Sequence, residues 1–145
     1  MRIAAKRNAR LVLLVLLPIL GAGLAFAEGT GGISVELSSA EERDQNCLLS
    51  FLVENTYDAD IESAVYETVL FGAEGGVALL TLLDFEDLPA GRPRVRQFQF
   101  DGMTCNHITR ILINGAQECS HQGGMENACM SNLKVKSRLE TEMIR

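Results

Sequence analysis

From residue 33 onward the chain alternates apolar and polar side chains in short runs, and most runs end at glycine, proline or small polar residues. In "ISVEL" (33–37), Ile33, Val35 and Leu37 fall on one side, Ser34 and Glu36 on the other. Successive side chains of a strand point to opposite faces, so this period of two predicts a half-buried strand. "CLLSFLVEN" (47–55) repeats the pattern through Cys47, Leu49, Phe51 and Val53. Leu48 and Leu52 make its other face apolar enough for a central strand. "IESAVYETVLF" (61–71) is rich in β-branched and aromatic residues and predicts a long strand. No segment carries a convincing amphipathic helix pattern.

The remaining segments extend the same reading. "SSAEERDQN" (38–46) reads as a polar loop, "TYDAD" (56–60) as a turn and "GAEGG" (72–76) as a glycine hairpin turn. "VALLTLLDF" (77–85) is apolar on both faces. Periodicity admits a buried strand or a short helix there, and its place after a tight turn favours the strand. "EDLPAGRP" (86–93) is a connector, and "RVRQFQF" (94–100) is a strand with Phe98 and Phe100 on one face. Its basic and amide residues, Arg94, Arg96, Gln97 and Gln99, are expected outward and form a candidate binding surface on an otherwise acidic chain. "HITRILIN" (107–114) is a strand, and 115–132 a long glycine-bearing loop. "LKVKSRLETEMIR" (133–145) is a final edge strand with lysines outward, a guard against edge pairing. About seven short strands joined by turns predict an all-β fold, an immunoglobulin-like antiparallel β-sandwich, with a small barrel as the alternative.

The N-terminus belongs to a different class of segment. Arg2, Lys6, Arg7 and Arg10 precede an apolar run from Leu11 to Leu20, and "AFA" (25–27) puts small residues where a signal peptidase reads. This predicts a cleaved signal peptide over 1–27 and a single domain over 28–145. The apolar run is too short for a comfortable membrane span, so no stable membrane anchor is expected after cleavage. The n-region has no adjacent arginine pair, which favours the general secretory route to the periplasm. Four of the 13 basic residues leave with the leader and all 19 acidic ones stay, leaving 9 basic against 19 acidic, a net of −10. Such a charge disfavours nucleic acid and anionic membranes and favours solubility or a cationic partner.

Cys47, Cys105, Cys119 and Cys129 all lie in the exported part. An even number of cysteines in a small exported domain predicts two disulfides, and the sequence alone leaves three pairings open. An alternative uses Cys105, His107, Cys119 and His121 as zinc ligands, because residues two apart on a strand share a face. An oxidising compartment argues against it by removing the thiolates. "DFED" (84–87) and "DAD" (58–60) lack a calcium-loop pattern. No Gly-x-Ser-x-Gly elbow and no Cys-x-x-Cys is present. No constellation names a reaction or a cofactor, so the chain reads as a non-enzymatic interaction or accessory module. Another periplasmic or envelope protein is its expected partner, bound by a sheet face or by strand addition.

The run "FLVENTYDADIESAVYETVLFGAEGG", followed by "LPAG" and "FQFDG", resembles the FxLYD-type immunoglobulin-like modules of bacterial exported proteins. Asn55, Phe71, Gly75, Leu88, Pro89 and Gly91 fill that pattern, and Gly72 departs from it where an aspartate is more usual. The wider chain is also similar to uncharacterised exported proteins of proteobacteria. The resemblance implies a periplasmic sandwich and carries over no catalytic residue. In such a sandwich Cys47 opens one strand beside the end of another, near Cys105. Cys119 and Cys129 would close the base of a final hairpin. The expected pairs are therefore Cys47–Cys105 and Cys119–Cys129.

Overall fold

A computed structural model describes residues 31–145, so the expected leader (1–27) lies outside the described residues. Among the described residues eight strands form: β1 (Ile33–Arg43), β2 (Asn46–Asn55), β3 (Ile61–Phe71), β4 (Val77–Asp84), β5 (Arg94–Phe100), β6 (Arg110–His121), β7 (Lys134–Ser137) and β8 (Glu142–Ile144). A 3-10 turn spans Cys105–His107, and a four-residue helix, α1, spans Ala128–Ser131. The strands build two four-stranded sheets, ordered β5-β2-β1-β7 (sheet A) and β4-β3-β6-β8 (sheet B). The chain crosses between sheets after β2, β4, β5, β6 and β7, which gives the expected immunoglobulin-like sandwich.

Several boundaries differ from the sequence reading. The polar stretch 38–46 is mostly strand: β1 runs on to Arg43, with a bulge at Ser38 where Leu37 faces Phe51 and Ser39 faces Ser50. The hairpin turns on two residues only, Asp44 (φ 50°) and Gln45 (φ 71°), both left-handed. Two left-handed residues match the twist of the flanking strands, the geometry of a tight hairpin. β6 likewise continues through "GAQECSH" instead of entering a loop at 115, using register shifts against β3 to stay paired. The final segment is not one edge strand. β7 pairs parallel with β1 in sheet A, and β8 pairs parallel with β6 in sheet B.

The inner faces meet in one core. Sheet A contributes Val35, Leu37, Leu49, Phe51 and Val53; sheet B contributes Ala64, Tyr66, Leu70, Ile111 and Ile113. Phe85 sits at the centre, edge-on to Phe51 (5.8 Å) and Tyr66 (5.5 Å) and tilted against Phe98 (5.1 Å). Offset and edge-to-face contacts of this kind add to the burial itself.

Among the described residues one buried side-chain polar atom, His121 Nε2, lacks a hydrogen-bond partner, whereas the enclosed Asn55 is well paired. Asn55 Nδ2 donates to the carbonyls of Ala59 (3.0 Å) and Leu88 (2.8 Å), and its Oδ1 accepts from the Tyr57 N–H (2.9 Å). Gly91 (φ 66°) donates its N–H to the Asn55 carbonyl (2.8 Å). Asn55 of β2 and Leu88 and Gly91 of "LPAG" thus form one fastening between β2 and the β4–β5 connection.

Two disulfides are present, Cys47–Cys105 and Cys119–Cys129. The second pair is the expected one, but the expected geometry is not what brings it together. β6 and β7 lie in different sheets and make no hairpin. Cys119 instead holds α1 through Cys129. Tyr57 and Tyr66 reach the same helix, donating to the carbonyls of Ala128 (2.9 Å) and Cys129 (3.0 Å).

Candidate interaction surface

The four residues of the metal alternative are not brought together. Cys105 and Cys119 are both oxidised, in different disulfides. His121 lies opposite Ile61 and Arg110 opposite Phe71, at the two ends of β3. His107, just ahead of Arg110, is therefore separated from His121 by roughly 33 Å of strand at about 3.3 Å per residue. His121 is half-buried, edge-on to Tyr57 (5.3 Å), with Nδ1 accepting the Gly123 N–H (3.0 Å). Among the described residues no group of three or more histidine, cysteine or carboxylate side chains is placed to hold a metal.

The β5 surface is also corrected. Arg94 and Arg96 share the parity of Phe98 and Phe100, and they turn toward the other sheet and the β4–β5 connection. Arg96 Nε donates to the Phe85 carbonyl (2.7 Å), and its Nη2 reaches the carbonyl (3.0 Å) and Oδ1 (3.2 Å) of Asp87. Arg94 stands 3.9 Å from the Asp87 carboxylate. Gln97 and Gln99 face the other way, donating to Ser50 Oγ (2.9 Å) and Asp101 Oδ1 (2.7 Å). These four residues do not share a face. The two arginines instead hold a connection in place.

The outer face of sheet B carries the signal that the sequence reading missed. β4 is an edge strand. Its apolar side chains were expected to be buried, yet Val77, Leu80 and Leu82 are 64%, 57% and 52% exposed. Register carries this face across the whole sheet: Leu80 lies opposite Val69, Val69 opposite Leu112, and Leu112 opposite Ile144. Val69 is only 6% exposed and does not belong to the core cluster, so its neighbours on the outer face cover it. Val77 extends the patch beside Phe71. A contiguous outward apolar row of this kind marks an interaction surface more often than a solvated face.

The charges around this row are uneven. Asp84, Glu67 and Glu118 follow on one side, with Glu67 accepting a hydrogen bond from Asn114 Nδ2. On the other side Arg110 pairs with Glu142. Sheet A presents a different outer surface. There Glu36 is nearly enclosed, paired with Lys136 (2.7 Å) and Arg138 on the C-terminal segment. The Lys136 ammonium, and after it Arg138, hold the Glu36 carboxyl below its ordinary value despite the opposing effect of desolvation. A cleft of about 300 Å³ at the end of sheet A is lined by Ser34, Glu54, Thr56 and Lys134, and neither histidine lines it.

No protein-family model matches the chain, and no curated protein matches it in sequence. Among solved structures, IrmA from Escherichia coli is similar, with a TM-score of 0.54, 10% identity, and coverage of 72% of this chain and 91% of IrmA. At that identity the likeness is one of fold, to a bacterial β-rich protein. Two disulfides, and no helix among the described residues long and apolar enough to cross a membrane, fit an exported protein.

Proposed function

We propose that the chain is a non-enzymatic interaction module of the bacterial periplasm. In this reading it holds another envelope protein on the outer face of sheet B and along β4. The observation that carries the proposal is the outward apolar row Leu80–Val69–Leu112–Ile144, which ends at an open strand edge. Strand addition to such an edge supplies backbone hydrogen bonds, and the apolar row supplies side-chain contacts. The leader supports export, and the fastening at Asn55, Leu88 and Gly91 supports kinship with FxLYD-type modules.

The test is affinity capture from a periplasmic extract, comparing the wild-type protein with a Leu80→Lys, Leu82→Lys variant. Both positions point outward, so the fold should survive and the captured protein should be lost. Equal capture by the two would remove this face from the function. Capture no better than that of an unrelated disulfide-bonded domain would remove the interaction reading itself.

A further inference from the structure

Four strands form the sheet edges, and three of them are protected. β7 is four residues long and carries Lys134 and Lys136 on its exposed positions. β8 has three residues, one of them Glu142 paired with Arg110. β5 carries Arg94 and Arg96 folded against the β4–β5 connection. β4 is eight residues long, with no proline, no lysine and no charge before Asp84. Short length, lysine and proline are the usual means of blocking edge pairing, and β4 uses none of them.

We infer that β4 pairs antiparallel with β4 of a second copy, joining two B sheets into one continuous eight-stranded sheet. The inference rests on the reading of β4 as an interaction edge and makes a second copy its occupant, which leaves the outer face of sheet B, and not the β4 edge, to an envelope partner. The self-complementary run Leu79–Leu83 selects that occupant and its register, and charge permits it. A chain with 19 acidic against 13 basic residues can meet itself only where carboxylates are not opposed. The stretch 77–83 carries none.

In an antiparallel pair centred on Thr81, Leu80 lies opposite the partner's Leu82, and Leu79 opposite the partner's Leu83. Thr81 meets the partner's Thr81. Side chains of like orientation then meet on each face, and leucine pairs join the two outward apolar rows. Asp84 falls opposite the partner's Ala78 and faces no charge. A pair centred on Leu80 or on Leu82 instead sets Thr81 opposite a leucine, whereas about Thr81 the run Leu79-Leu80-Thr81-Leu82-Leu83 reads the same in both directions and every leucine meets a leucine. Thr81 is therefore the two-fold centre. The contact is small, so the association is reversible and concentration-dependent.

Sedimentation velocity on protein expressed from its full-length sequence in an oxidising compartment tests this, over concentrations up to about 0.5 mM, the range of weak edge contacts. The mass should rise toward twice the monomer. The Leu80→Lys, Leu82→Lys variant should remain monomeric with an unchanged circular dichroism spectrum. Thr81→Cys should form a covalent dimer under mild oxidation much faster than Val95→Cys on the β5 edge, because only Thr81 sits on the two-fold. A wild-type protein that stays monomeric throughout overturns the inference, as does a dimer indifferent to the two lysines. Equal cross-linking at the two cysteines overturns it too. A monomer that still captures another envelope protein through β4 overturns the dimer alone and leaves the interaction reading standing.

Discussion

Asn55 satisfies backbone groups of Ala59, Leu88 and Tyr57, all close to the chain's first crossing between sheets. Replacing it with alanine strands those groups in a buried site, which costs about 1–3 kcal/mol for each group left unsatisfied. Asn55→Ala should therefore lower the unfolding free energy by about 3 kcal/mol, read from urea denaturation. Tyr66 is buried, and its hydroxyl donates to Cys129; burial, and secondarily Tyr57, push its ionisation far above the ordinary phenol value of 10.0. The folded state thus holds this proton more tightly than the unfolded chain. Its contribution is complete below about pH 10 and shrinks as pH rises above that value. Alkaline unfolding followed by phenolate absorbance should accordingly begin at higher pH in Tyr66→Phe than in the wild type. At this scale the sequence was readable wherever parity was followed strictly. Charge alone points Arg94 and Arg96 outward, whereas their spacing aligns them with Phe98 and Phe100. The backbone carbonyls of Phe85 and Asp87 that receive Arg96 are invisible to any local pattern.

Among the elements, β7 depends most on a single side chain. Glu36 of β1 ties to Lys136 of β7 and to Arg138 just beyond it. Its carboxyl is held below the ordinary value of 4.5, so the attachment is complete above that value and is lost as pH falls through the lowered one. Protection of the Val135 and Ser137 amides, relative to the intrinsic exchange rate at each pH, should therefore fall on acidification below about pH 4.5, and Glu36→Gln should show low protection already at neutral pH. Strand existence was legible from alternation, but strand length was not. The Asp44–Gln45 hairpin lacks the Asn-Gly or Asp-Gly signal, so the polar arm of β1 looked like a loop. The stretch 133–145 divides because β7 and β8 answer to partners about a hundred and about thirty residues earlier. Nothing within the segment records that change of sheet. β4 was recognised as a strand, but apolar residues on both faces read the same in a buried strand and in a sticky edge.

For the whole molecule, the cross-links set the conditions for folding. On the chain-entropy model, closing the loops of 58 and 10 residues stabilises by about 4 and about 3 kcal/mol. Cys119→Ser should lower the thermal midpoint and release α1, freeing the carbonyls that receive Tyr57 and Tyr66. An unchanged midpoint under oxidising conditions would show that the bond does not support the helix. The class of fold and both cysteine pairs were accessible from pattern and count, whereas the outward apolar face required the sheet order to be known. That order also bears on how the molecule would resist being pulled. The described residues begin at β1 but end at β8, which lies in the other sheet and is held to β6 by three residue pairs. Tension on the two ends would load that short pairing first, and only once β8 had come away would it slide β7 along its parallel neighbour β1. A domain strung between two anchors in this way would give way in two steps, the short strand before the longer shear.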